Sequence, residues 1–122
     1  MVDFESDQEL LELAAKAAGI EGKYGYAPDD YYYNGNVEGI CTELPDGRSY
    51  VWNPLSDDGD AMRLAVKLQM RITNEYDEVV TAEFYFGEAE YYHAHEFVDG
   101  DPFASTRRAI VRAATDLGRN IK

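Results

Sequence analysis

Basic residues are scarce in this chain. Eleven Lys and Arg stand against 24 Asp and Glu, a formal net charge of −13. A field of that sign repels nucleic acid and anionic membranes and steers basic partners inward, so neither direct nucleic-acid binding nor membrane binding is expected. The shortage is uneven. Residues 1–102 hold 23 acidic and 6 basic side chains, whereas residues 103–122 hold 1 and 5. Cysteine is scarcer still. Cys41 stands alone, which excludes an intramolecular disulfide framework. Its neighbours Glu38 and Glu43 are anions, which raise a thiol pKa, so a small buried strand residue is expected rather than a reactive one. No run of 18 apolar residues is present to cross a membrane. The opening Met-Val-Asp-Phe-Glu-Ser-Asp is acidic where an export signal is basic, and a cytoplasmic location is the expectation. Phosphate-cradling loops are missing as well. Gly19, Gly22 and Gly25 lead into a loop rather than a helix, and no serine sits in a nucleophile elbow.

Apolar material is not scarce. At 45 % hydrophobic, with 10 Tyr, 5 Phe and 1 Trp, the chain can build one core, and residues 1–122 read as a single domain.

The periodicity predicts three helices. In the first, over about 7–18, Ser6 and Glu9 form a capping-box pair, Leu10, Leu13, Ala14 and Ala17 make the stripe, and Gly19 ends it. The second, over about 57–70, is capped by Ser56 or Asp57 with Asp58 and Asp60 in its first turn. Its stripe is Ala61, Leu64, Ala65 and Leu68, widened by Met62 and Val66. The third starts at Asp101-Pro102, turns Phe103, Ile110, Ala113, Ala114 and Leu117 inward and Arg107, Arg108 and Arg112 outward, and closes at Gly118.

Strands are expected at 37–43 and 48–53 around Pro45-Asp46-Gly47, at about 71–75, at 79–86, and at 89–97 after a Gly87-Glu88 turn. Residues 20–36, rich in Gly and Tyr, lack a period and read as a long surface loop. The expected fold is α+β: one antiparallel sheet of four to five strands against three helices, in the order α-β-β-α-β-β-β-α.

Two segments carry a resemblance. One runs Trp52-Asn53-Pro54-Leu55-Ser56-Asp57-Asp58 into the second helix, and the other is Pro102-Phe103-Ala104-Ser105-Thr106-Arg107-Arg108-Ala109 with its continuation to Ala114. Together they resemble the phage ABA-sandwich domain family of small tailed-phage and prophage proteins. That family has a strand ending on tryptophan, an Asp-containing turn into a middle helix, a hairpin, and a last helix of Pro-x-Ala-x-x-Arg-Ala-Ala type. The resemblance implies a phage or prophage gene acting in the bacterial host cytoplasm. It carries no assigned reaction, and Arg112 within it is either an ion-pair residue or a binding residue.

Few side chains suggest chemistry. His93 and His95 share a strand face and could chelate Zn²⁺ with a third ligand from Glu83, Glu88, Cys41 or an acidic loop, but they read more simply as surface or edge residues. The carboxylate groups Asp57, Asp58, Asp60 and Glu75, Asp77, Glu78 lack a Ca²⁺ loop frame. No metal, cofactor or catalytic residue is assigned. The suggestive feature is tyrosine interleaved with acid: Asp29, Asp30, Tyr31, Tyr32 and Tyr33 in the loop, and Glu88, Glu90, Tyr92 and Glu96 in the last hairpin. Tyrosine brings contact area at low entropic cost, and carboxylates beside it meet Arg or Lys through charge-assisted hydrogen bonds. These residues are the expected partner-binding set, with a basic host protein or nucleoprotein complex as partner. In its sharper form the expectation is an anti-defence protein, anti-CRISPR-like, that mimics nucleic acid in a basic channel. The rivals are an assembly module, a homodimer in the simplest case, whose basic third helix meets the acidic body of another copy, and a small metal-dependent enzyme using His93 and His95.

Overall fold

Each helix begins where a side chain accepts its free N–H groups. The computed structural model describes residues 6–75 and 78–121, with helices α1 (Asp7–Ala18), α2 (Asp58–Lys67) and α3 (Pro102–Asn120). Ser6 Oγ accepts from Glu9 N, Asp57 from Asp60 N, and Asp101 from Phe103 N and Ala104 N. Gly19 ends α1 in the left-handed conformation at φ 72°, which a side chain would strain.

Strands β1 (Lys23–Tyr26), β2 (Glu38–Glu43) and β3 (Ser49–Trp52) precede α2, and β4 (Arg71–Glu75), β5 (Val79–Phe86) and β6 (Glu90–Phe97) follow it. Among the described residues these are two antiparallel three-stranded sheets, ordered β1-β2-β3 and β4-β5-β6, rather than one sheet of four to five strands. The α+β class stands, but the order is α-β-β-β-α-β-β-β-α. The added strand lies inside the segment expected to be loop. Lys23 pairs with Cys41 and Tyr26 with Glu38, and a Cβ on Gly22 would sit 2.3 Å from Cys41 O. Only glycine allows that approach at Gly22, and Gly25 within the strand, where a side chain would have room, interrupts the alternation that would reveal it.

The outer helix boundaries also move. Met62 and Val66 are solvent-exposed and do not widen the α2 stripe, and the helix ends at Lys67 rather than about residue 70, with the chain turning at Gln69, φ 57°. Phe103 is exposed at the first turn of α3, before the helix reaches the core. Gly118 does not close α3. It lies buried inside it, where a Cβ would meet Leu13 O at 2.0 Å.

That contact positions the rest. α3 packs against α1, α2, β5 and β6. Ala14, Ala15 and Ala18 of α1 and Ala109, Ala113 and Ala114 of α3 belong to one buried cluster with Ile40, Trp52, Val80, Phe84 and Leu117, so a single core serves both sheets. Thr115, fully buried on α3, donates to Leu10 O at 3.0 Å while its Oγ1 also lies 2.8 Å from Val111 O, so its hydroxyl spans the two helices.

Gly118→Ala is expected to destabilise the fold by about 1–3 kcal/mol or more, since a backbone carbonyl cannot move aside as a side chain can. Gly25→Ala, with nothing near its Cβ position, should change stability by less than about 1 kcal/mol. Urea denaturation of both variants checks the contrast.

Candidate functional site

Asp60 enters α2 three residues after its cap, on the same helical stripe as Leu64, and so turns inward. Its carboxylate is wholly buried. Oδ1 accepts from Tyr50 Oη and from Arg63 Nη2, each at 2.7 Å, and Oδ2 accepts from Asn53 N at 2.9 Å. Three donors on a buried carboxylate replace the water it has lost. Asn34 Nδ2 donates to Tyr50 Oη at 2.7 Å, Asn36 Nδ2 donates to Asn34 Oδ1 at 3.3 Å, and Ser56 Oγ donates to Asn36 Oδ1 at 2.7 Å. The network therefore ties residues 31–36 to β3 and to the entrance of α2. Burial, and then the hydrogen bond to Asp60, push the Tyr50 phenol well above the ordinary tyrosine range. The bond to Asp60 raises Arg63 in turn.

Above this network lies an open groove of about 1250 Å³, lined in part by Tyr31, Tyr32, Glu43, Tyr50, Arg63 and Lys67. Tyr32 N donates to Ser49 O at 2.9 Å, and Tyr32 and Tyr50 rings stand 6.1 Å apart. The Arg48 guanidinium lies over the Tyr32 ring, 5.1 Å from its centre. The sequence does not announce Tyr50, Asp60 and Arg63 as one unit, and Asp60 reads there as a first-turn acid in a carboxylate group. The spacing Asp60, Leu64, Leu68 was the available signal, since it puts a carboxylate on the apolar stripe.

The expected partner-binding residues fall in two different places, the β1–β2 connection and the β5–β6 hairpin. Asp29 and Asp30 are exposed and form no ion pair among the described residues, Tyr31 is half-buried at the groove, and Tyr32 and Tyr33 are 53 % and 40 % exposed. On the second sheet Glu88 is exposed in the β5–β6 turn. Tyr92 faces inward, stacks on Phe84 at 5.4 Å between ring centres, and donates its hydroxyl to Glu90. Glu96 is held by Arg108 and Arg112. Arg112 thus takes the ion-pair role, and it also donates to His95 O at 3.2 Å. Asp77 of the carboxylate groups lies outside the described residues.

His93 and His95 do point out of one strand face. Their rings are 5.2 Å apart, and His95 Nδ1 lies 2.8 Å from Thr81 Oγ1. Among the described residues no three His, Cys, Asp or Glu side chains gather where a metal ion could be held. Cys41 is half-buried, and that burial raises its thiol pKa. Among the described residues no helix is long and apolar enough to cross a membrane. No family model, curated protein or solved structure matches the chain.

Asp60→Asn is expected to cost about 2–3 kcal/mol, because an amide cannot accept all three donors. Arg63→Gln should cost less than about 1 kcal/mol, since the guanidinium is 65 % exposed and solvent can take over its role. Denaturant titration separates the two. A second expectation concerns alkaline pH. The hydrogen bond from Tyr24 Oη to Glu38 Oε2 at 2.6 Å, aided by burial, pushes the Tyr24 pKa up to about 12, and Tyr50 is raised too. A raised phenol pKa means the folded chain keeps a proton that the unfolded chain releases from about pH 10 upward. Stability should therefore fall as pH rises from about 10 through about 12, and Tyr24→Phe or Tyr50→Phe should flatten that slope. Unfolding free energy measured against pH reads it.

Proposed function

We propose that this chain is a non-enzymatic acidic binding module whose exposed carboxylates engage a basic surface on a partner protein or nucleoprotein complex. One observation carries the reading: the chain holds six of its seven arginines against its own acids. Arg48, Arg63, Arg107, Arg108, Arg112 and Arg119 all sit in ion pairs with its own acids. Arg107, for example, donates Nε to Leu55 O at 2.9 Å and Nη1 to Asp58 Oδ1 at 2.7 Å. Asp29, Asp30, Glu21, Glu43 and Glu88 are exposed and form no ion pair among the described residues, so the field of −13 is directed at solvent and at whatever approaches.

The same pairing weighs against the assembly module. Arg107, Arg108 and Arg112 of α3 are occupied by Asp58, Asp7 and Glu96, which leaves less positive charge for the acidic body of a second copy. Together with the resemblance to the phage family, the sharper form is an anti-CRISPR-like inhibitor that fills a basic nucleic-acid channel of a host protein. Surface carboxylates would compete there with phosphates for the same Lys and Arg.

Capture from a bacterial lysate tests the reading. Basic nucleic-acid-binding proteins should be retained at about 0.1 M ionic strength and released toward about 1 M, where the screening length falls from about 10 Å to about 3 Å. The triple variant Asp29→Lys, Asp30→Lys, Glu88→Lys should lose them. A set of retained proteins that is indifferent to both salt and charge reversal would remove the proposal.

A further inference from the structure

The second sheet buries one face and leaves the other open. Val80, Ala82, Phe84, Tyr92 and Ala94 point toward α3 and the core. The alternate residues point outward, and their register is set by the ladder. Tyr85 pairs with Tyr91, Glu83 with His93, Thr81 with His95 and Val79 with Phe97, while Arg71 of β4 lies across from Glu83. The outward rings form a continuous row. Tyr85 and Tyr91 are 5.0 Å apart, Tyr91 stacks on His93 at 5.2 Å, and His93 meets His95 at 5.2 Å. Tyr91 Oη donates to Glu83 Oε1 at 3.3 Å, which fixes a carboxylate beside the row. Tyr85 is 71 % exposed and Phe97 82 %.

Cross-strand ring pairs stabilise a sheet without needing such exposure, and rings left this open commonly mark a contact surface. The occupant follows from charge. A second copy would bring another −13 with six of its seven arginines already in ion pairs, so it is repelled. Nucleic acid is repelled likewise. A guanidinium fits on both counts: it stacks flat on tyrosine and pairs with a carboxylate through its fork of donors. The chain uses the first of these contacts internally, where Arg48 covers Tyr32 at 5.1 Å.

We propose that the outer face of β4-β5-β6, centred on Tyr85, Tyr91 and Glu83, is the docking surface for an arginine-bearing segment of the basic partner. This rests on the acidic-module reading and adds where the partner sits and which cation it presents. Lysine carries the same charge but is a compact, strongly hydrated point that gains less from a ring face.

Oligo-arginine and oligo-lysine peptides of equal length are the probes, with affinity measured by titration calorimetry. The arginine peptide should bind about tenfold more tightly, and Tyr85→Ala with Phe97→Ala, both at exposed positions, should remove most of that preference. Glu83→Gln, nearly isosteric, should weaken the arginine peptide severalfold with the fold unchanged by circular dichroism. If both peptides bind alike and the variants have no effect, the docking face is wrong while the acidic module stands. If neither peptide binds at low salt, both readings fall. Sedimentation that shows a dimer dissolved by Tyr85→Ala, Phe97→Ala would assign the face to a second copy and overturn the proposal.

Discussion

The approach of α3 to α1 is the constraint on which the rest depends. A Cβ at Gly118 would stand 2.0 Å from Leu13 O, so the two backbones meet at a distance no other residue allows. Alanines on both helices continue the contact, and the Thr115 hydroxyl bridges it to Leu10 O at 3.0 Å. With α1 and α3 this close, both flank one core. β5 and β6 lie on α3, while β1 and β2 touch α1. Two small sheets, neither able to bury enough on its own, become one stable body because the same helix pair serves both.

Charge is organised around that body rather than spread over it. The arginines of α3 reach back to Asp58, Asp7 and Glu96, and so tie the last helix to the entrance of α2, to the start of α1 and to β6. Half-exposed pairs of this kind contribute little each to stability. Their larger effect is on the field: they hold the cations against the fold and leave the unpaired carboxylates outside. Asp60 is the exception, a buried anion whose donors come from β3, α2 and the chain between them, so that it locates the groove instead of projecting charge.

Much of this was legible in the residues. Ser6, Asp57 and Asp101 announce helix starts because capping needs only local chain, and the alternation through 79–86 and 90–97 names which side of β6 is wet. Strand β1 was hidden because Gly22 and Gly25, one of which admits the neighbouring backbone, also dissolve the alternation that would reveal it. Tyr92 and Glu96 looked like members of an outward acidic and aromatic set. Composition does not show that Phe84 waits for the one and two arginines for the other.

Helix starts, their caps and the sign of the protein's field belong to the sequence alone, because each arises from residues a few positions apart or from a simple sum of charges, whereas the β5–β6 register pairs Phe86 with Glu90 across three residues, not the two that Gly87-Glu88 suggested. Whether the strands form one sheet or two, which arginines are free, where the buried Asp60 finds its donors and which rings remain uncovered were decided only by the tertiary structure. Those depend on residues such as Leu13 and Gly118, or Glu83 and His93, that the chain itself keeps apart and only packing brings together.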